Sequence, residues 1–270
     1  MGRIVGGFAS SHVLFSPDGA DEQAARVFSG MMTIRQRIRD LAPDVIVVAS
    51  GDHLNNFTLK HQVTLAVGVA DSYVPLGDMG IPQTPFPGHR DFAEAFARAA
   101  NAGGFDLVQV EEARPDHGMM LTKLIADPDD RIPVVPVFVN SAMPLPPTPA
   151  RAFALGEALA AMVERDRPAS ERVVVIGGGG LSHWLRIEGQ GRVAADHDRH
   201  ILRELAEGRA RDFAQVDNAT LLADIGNGGL EVASWLFMAG ALPRGATGEV
   251  VYYEPIAAWG SGMGGMAFHV

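Results

Sequence analysis

The sequence predicts an α/β fold in which helices flank a mostly parallel central sheet, as a single domain over residues 1–270. Short β-branched runs such as VIVV at 45–48 are typical of strands buried on both faces, and these belong mainly to parallel sheets. Such runs alternate along the chain with amphipathic helical patterns. No Ser-, Gly- or Pro-rich linker divides the chain, which favours one domain. We expect the functional site at the carboxyl edge of the strands, where open α/β sheets bind ligands.

The first third of the chain supplies three strands, one helix and one long loop. Residues 3–9 form a β-prone apolar run, and residues 21–39 place apolar side chains at helical spacing. Residues 44–53 and 62–69 carry further β-branched runs and are predicted as strands. Residues 72–89 contain four prolines and several glycines, which predicts a loop. Loops of that length inside compact domains usually have a task, such as covering a site.

The middle of the chain continues the alternation of helices and strands. An Ala-rich helix is predicted at 90–102, a short strand at 105–110 and a helix at 118–125. Residues 132–140 read as a strand, and their prolines favour either its beginning or an edge position in the sheet. A proline cluster then precedes a predicted helix at 150–164.

The last third predicts a strand that runs into four glycines, then helices, then two final strands. Asn227 is expected to cap the last helix, because asparagine accepts well from free N–H groups at a helix start. The predicted elements are a strand at 172–176, a helix at 195–207 with a shorter segment to 222, a helix at 228–241, and strands at 248–253 and 263–270 around a glycine-rich turn.

Composition excludes several classes of function. The formal net charge of −10 would repel a phosphate backbone, so no nucleic acid partner is expected. The chain has no cysteine, so a metal would have to be held by His, Asp or Glu. The brief apolar run at the N-terminus is too short for a signal peptide, and no run reaches 18 apolar residues, so we expect a soluble, cytoplasmic protein without a membrane partner.

Four histidines share one context: each follows a strand-like run and lies in a polar or glycine-rich turn. They are His12, His53, His117 and His183. A parallel sheet would gather these turns along one edge, so we expect the four imidazoles to converge. Imidazole binds metals and titrates near neutral pH, which suits it to both ligation and proton transfer.

Glu231 is the candidate carboxylate. Ser234, Trp235 and Met238 are its neighbours at helical spacing, which predicts a largely apolar, buried face. A buried carboxylate is rarely left unpaired, because losing its hydration is costly unless a cation replaces the water. A metal ion, a buried arginine or the positive end of the helix dipole could each stabilise the buried carboxylate. The residues alone leave these alternatives open.

Other motifs favour less specific interpretations. His197 and His200 lie three apart beside acidic residues, but a solvated helix face is favoured over a metal site. The glycines at 177–180 lack the Lys-Ser/Thr of a phosphate-binding loop and more plausibly let the backbone turn tightly. Ser182 lacks the Gly-x-Ser-x-Gly elbow of a hydrolase nucleophile.

Two histidines and one carboxylate form the ligand set of mononuclear non-heme Fe(II) oxygenases, which leaves coordination positions open for substrate and dioxygen. The same three ligand types can hold Zn(II) and activate water, so a metal-dependent hydrolase is an alternative. A second alternative is a protein that keeps the fold as a non-catalytic binding scaffold. In such a protein we would expect a metal-ligating residue or the catalytic base to have been replaced.

The chain resembles the class III extradiol ring-cleavage dioxygenases, in particular the beta subunits of protocatechuate 4,5-dioxygenase and the gallate dioxygenases. The matching segments span nearly the whole chain in the family's order: GGFASSHV, VVASGDHLNNF, RPDHGMMLTKL, VFVNSAMPLPPTPARAFALGEAL, VVIGGGGLSHWL and GNGGLEVASWLFMAGALP. The resemblance implies one catalytic domain that inserts both atoms of O2 into a catechol-type, protocatechuate- or gallate-like aromatic and opens its ring.

The resemblance also implies roles for particular residues. His12, His53 and Glu231 would bind Fe(II), His183 would act as the base, and His117 would contact the substrate's hydroxyl side as a hydrogen-bond or proton-transfer partner. Asp52 would support the metal site from the same turn as His53. The family pattern has Asn where Gly51 stands, so no role carries over for that side chain. The implied partners are a phenolic substrate, O2 and either further copies of the chain or a small alpha subunit.

Overall fold

The computed structural model describes residues 2–12 and 16–270. Val13, with which the first matching segment ends, therefore lies outside the described residues. The strands are β1 (Arg3–Ser10), β2 (Val45–Ser50), β3 (Leu65–Gly68), β4 (Ser72–Tyr73), β5 (Phe86–Pro87), β6 (Val108–Val110), β7 (Val134–Val139), β8 (Arg172–Gly178), β9 (Gly248–Ile256) and β10 (Ser261–Phe268). The helices are α1 (Asp21–Asp40), α2 (Arg90–Ala102), α3 (His117–Ala126), α4 (Pro149–Asp166), α5 (Ala195–Ala206), α6 (Ala210–Phe213), α7 (Asn218–Gly229) and α8 (Val232–Gly240).

One eight-stranded sheet runs through the protein in the order β6-β3-β7-β2-β8-β1-β10-β9. The central strands β7, β2, β8 and β1 are parallel to one another. Antiparallel pairs occur where β3 meets β7 and where β10 meets β1 and β9. The predicted mostly parallel sheet flanked by helices is confirmed.

Strand β2 shows why its sequence predicted burial on both faces. Val45, Val47 and Ala49 pack into a core beneath α2, α4 and α8. Ile46 and Val48 pack into a second core beneath α1 and α3. Because alternate side chains of a strand point to opposite faces, a strand between two apolar layers needs apolar residues at every position.

Two local predictions differ from the structure. Pro136 lies in β7, which is an interior strand, so the edge interpretation was wrong. The pairing of β7 with β3 covers only Val137 to Val139, so the missing N–H of Pro136 lies beyond that ladder. The helix predicted at 228–241 is also divided: α7 extends to Gly229, and α8 begins only at Val232.

Asn227 does not cap a helix start. Its side chain accepts from the backbone N–H of Leu185 at 2.8 Å and donates to the Leu185 carbonyl at 3.0 Å. It thereby fixes the segment that follows His183 against α7. Among the described residues, no helix is long and apolar enough to cross a bilayer.

Candidate active site

The parallel strands β1, β2 and β8 end side by side, and each is followed within five residues by a histidine. His12 follows the end of β1, His53 follows β2 and His183 follows β8. His117 is the first residue of α3, which packs against β2 and β8. Adjacent parallel strands present their carboxyl ends at one edge, which is why these imidazoles meet.

Three of the imidazoles form a compact group. One ring nitrogen from each of His12, His53 and His117 lies within 4.8 Å of the others. Burial lowers the pKa of His12 to about 4, so its imidazole is neutral at pH 7 and has a lone pair to offer. Within the described part of the chain, these three histidines form a group that could hold a metal ion.

Glu231 joins this group from the break between α7 and α8. Its Oε1 accepts from Nε2 of His53 at 3.1 Å, and its Oε2 lies 3.8 Å from Nε2 of His12. The backbone N–H of Gly180, in the glycine turn after β8, donates to Oε2 at 2.9 Å. Burial opposes its ionisation, but the hydrogen bond and the positive charge of His53 outweigh burial and hold the pKa of Glu231 below its ordinary value. The carboxylate is 5% exposed and therefore stays ionised among imidazoles.

Asp116 fixes the orientation of His53. Its Oδ2 accepts from the backbone N–H of His53 at 2.8 Å and lies 3.1 Å from Nδ1 of the ring. Burial lowers the pKa of His53, but the hydrogen bonds to Asp116 and Glu231 outweigh it and raise the pKa to about 11. The other oxygen of Asp116 accepts from Gly118 and caps α3. One buried carboxylate thus ties the turn after β2 to the helix that begins with His117.

Asp78 holds His117 in the same way. Its Oδ2 lies 2.5 Å from Nδ1 of His117 and accepts from the backbone N–H of that residue at 3.2 Å. Asp78 belongs to the proline-rich stretch predicted as a loop over a site, and that stretch does reach the imidazoles. Because Nδ1 faces a carboxylate, the lone pair of His117 is left on Nε2.

His183 is held by backbone groups. Its Nδ1 donates to the Leu181 carbonyl at 2.9 Å, and its backbone N–H donates to Ile225 at 3.0 Å. The donated proton on Nδ1 leaves the lone pair on Nε2, which is the form of a general base. A Cβ at Gly228 would lie only 2.0 Å from that nitrogen, so α7 can pass here only as glycine.

These side chains form one wall of a cavity of about 440 Å³. The wall consists of His12, His53, His117, His183 and Glu231. An apolar wall is contributed by Met79, Trp184, Leu185, Ala257, Ala258 and Trp259. Gln190 and Ser261 add the uncharged polar groups. Sequence reasoning assigned no role to Trp184 and Leu185, which end the matching segment VVIGGGGLSHWL, or to Gln190 and Gly191, which lie beyond it.

The remaining candidates lie outside the cavity. Asp52 accepts from the backbone N–H groups of Asn55, Asn56 and Phe57, so it shapes the turn after His53. His197 and His200 lie on α5 with half-exposed side chains beside acidic residues, as a solvated face predicts.

Ser182 is hydrogen-bonded to Asp198. The sequence predicted that Asp198 lies on the same exposed helix face as His197, but its carboxylate is buried. Asp198 accepts from the backbone N–H and Oγ of Ser182 at 2.9 and 2.8 Å, and from the Tyr253 hydroxyl at 2.8 Å. Burial raises the pKa of Asp198. The carboxylate therefore ties α5 and β9 to the turn that carries His183.

We expect Asp198→Ala to lower the free energy of unfolding by about 3 kcal/mol, because three buried donors would lose their acceptor. Urea denaturation at pH 7 measures the change. Asp196→Ala, on the same helix, is the matched control, because the Asp196 side chain is fully exposed and pairs only with Arg199. The control should stay within about 0.5 kcal/mol of wild type. Equal stabilities of the two variants would contradict the role given to Asp198.

Comparison with known proteins places this site in a family. Residues 8–264 match the family model described as the catalytic LigB subunit of aromatic ring-opening dioxygenase. A 2,3-dihydroxyphenylpropionate/2,3-dihydroxicinnamic acid 1,2-dioxygenase of Burkholderia vietnamiensis is 28% identical, over 94% of this chain and 93% of that protein. The enzyme of the same name from Paraburkholderia xenovorans is 29% identical, over 90% of each chain.

A solved structure supports the fold. The crystal structure of an uncharacterised protein from Escherichia coli K12 superposes with a TM-score of 0.56 at 17% identity, covering 97% of this chain and 99% of that one. The family match extends over nearly the whole chain and confirms the resemblance found in the sequence. The chain belongs to the family of catalytic LigB subunits of aromatic ring-opening dioxygenases and is a ring-cleavage dioxygenase of the extradiol class.

Proposed function

We propose that this enzyme uses Fe(II) to insert both atoms of O2 into a catechol-type aromatic, a diol of the protocatechuate or gallate kind, and opens the ring outside the diol. The observation that carries the proposal is the meeting of several imidazoles and one buried carboxylate at the wall of a ligand-sized cavity. The names of the two relatives, which refer to dihydroxylated aromatics, support the same substrate class.

His12, His53 and Glu231 are the residues that we propose to hold the metal. Ligand atoms bonded to one ion at right angles lie about 3 Å apart, and Nε2 of His53 and Oε1 of Glu231 are separated by 3.1 Å. Asp116 behind His53 supplies the carboxylate that typically orients a ligating imidazole. When bound, Fe(II) supplies open coordination positions and electrons for dioxygen chemistry.

Glu231 is preferred over His117 as the third ligand. A divalent cation enters a buried site more favourably when a negative charge accompanies it, and Glu231 carries that charge at 5% exposure. The side chain of His117 lines the cavity and is held by Asp78, whereas His53 is bonded to Glu231. The position of His117 suits contact with a substrate hydroxyl.

Proton transfer is assigned to the two remaining imidazoles. We propose that Nε2 of His183 takes a proton from one hydroxyl of the diol, because its lone pair is free and its ring is held by the Leu181 carbonyl. His117, bound to Asp78, would hydrogen-bond to the hydroxyl side and exchange protons there.

Metal-dependent oxygen consumption tests the proposal. The purified protein is reconstituted under nitrogen with Fe(II) or with Zn(II), mixed with a catechol and then exposed to 18O2. We expect only the Fe(II) protein to consume about one O2 per ring, in line with the family's chemistry, and both labelled atoms to appear in a yellow ring-opened product. Zn(II)-dependent turnover under nitrogen would instead establish the hydrolase alternative.

The domain organisation, cellular compartment and assembly of the enzyme are also proposals. We propose that residues 1–270 act as one catalytic domain, in the cytoplasm, either as a homo-oligomer or with a small alpha subunit. The absence of cysteine supports an intracellular setting, and the family resemblance supports the assembly.

A further inference from the structure

The part of the cavity lining that is not contributed by the imidazoles and Glu231 consists mainly of apolar side chains. Two indoles, Trp184 and Trp259, stand there with Met79, Leu185 and two alanines. Trp259 is fixed by donating Nε1–H to the Ser16 carbonyl at 2.9 Å, so its ring is a rigid surface. A diol whose hydroxyls face the metal ligands leaves these apolar side chains as the main surface available to its ring substituent.

No lysine or arginine lines the cavity in the part of the chain that the structure describes. Arg192 is exposed and its guanidinium lies over the ring of Trp184, 4.9 Å from the centroid. Arg114 donates to the carbonyls of Pro75 and Leu76. Arg192 thus stacks on a ring that lines the cavity and Arg114 binds the proline-rich stretch, but neither of them lines the cavity itself.

The charged groups that do approach the cavity are carboxylates. Glu231 lines it, Asp116 lies behind His53, and Asp78 lies behind His117. The Oδ1 of Asp78 is buried and has no hydrogen-bond partner. A carboxylate on the ring substituent would therefore lose its hydration without gaining a lysine or arginine partner.

We propose that the substrate is a diol whose ring substituent is uncharged and apolar. The proposal rests on the proposed ring-cleavage function but departs from the protocatechuate- or gallate-like substrate named there, since protocatechuate, gallate and dihydroxyphenylpropionate all carry a carboxylate. The indoles, Met79 and Leu185 select the substituent by burying its apolar surface. Gln190 and Ser261 accommodate neutral polar atoms such as an ester or ether oxygen.

The preference for an uncharged substituent can be tested without turnover, by comparing the binding of acids with that of their methyl esters. The Fe(II)-loaded protein is titrated under nitrogen with protocatechuate and its methyl ester, and with 2,3-dihydroxyphenylpropionate and its methyl ester. Tryptophan fluorescence reports binding, because two of the three tryptophans line the cavity. We expect each ester to bind at least about tenfold more tightly than its acid.

Two variants of Ala258 test whether the apolar wall causes the preference for esters over acids. Ala258→Arg places a guanidinium on an exposed position of the apolar wall, and Ala258→Gln is the uncharged control. Only the arginine variant should narrow the difference in Kd between acid and ester. Acids that bind wild type as tightly as their esters would overturn the inference while leaving the ring-cleavage function intact. If no diol binds or is cleaved, both proposals fail.

Discussion

Glu231→Ala is expected to bind Fe(II) at least about 100-fold more weakly than wild type and to lose ring cleavage with it. The substitution removes the buried negative charge that lies 3.1 Å from His53 and 3.8 Å from His12. Equilibrium metal titration under nitrogen measures the affinity, and circular dichroism reports whether the fold is retained.

His117→Ala is the informative companion variant. It removes an imidazole from the same compact group, yet it should retain its iron, because we assign His117 to the substrate. If His117→Ala lost iron and Glu231→Ala kept it, the ligand set would be three imidazoles and the assignment of Glu231 would be wrong.

His183→Ala should retain iron and lose turnover by about 10²- to 10⁴-fold, the range expected when a general base is removed. His183 touches neither His12 nor His53 through any hydrogen bond, and its ring is held by Leu181. Anaerobic metal titration measures the iron affinity of the variant, and steady-state kinetics measures its turnover.

His200→Ala is the control for a histidine outside the cavity. His200 is half-exposed on α5, and the variant should turn over at the wild-type rate. A His183→Ala enzyme with wild-type kcat would remove the assignment of the base.

Much of the fold and the location of the site could be predicted from the sequence because both depend on local patterns. Apolar runs identified β1, β2 and β8, and parallel strands bring the turns after them to one edge. That rule accounts for the convergence of His12, His53 and His183. Their roles are still predictions, since geometry alone does not show which atoms bind a metal.

Glu231 shows where a periodic pattern fails. The apolar run from residue 228 to 241 indicated one continuous helix, but Gly226 departs from helical geometry and α8 begins only after Glu231. The break lets the carboxylate reach the imidazoles and the N–H of Gly180. Several adjacent glycines were the available signal for that break.

Asp78 and Asp198 could not be found from the sequence because their partners are distant in the chain. Asp78 binds a histidine 39 residues later, and Asp198 binds a tyrosine 55 residues later. Neither lies in a motif, and Asp198 shares its helix with exposed charged residues. Such contacts follow from tertiary packing and not from local periodicity.

Anomalous diffraction from crystals loaded anaerobically with Fe(II) tests the central claim most directly, because it locates the iron independently of activity. We predict one iron peak per chain, bonded to His12, His53 and Glu231, with His117 and His183 nearby but unbound. A peak coordinated by His12, His53 and His117 without Glu231, or iron bound elsewhere on the protein, would contradict the account.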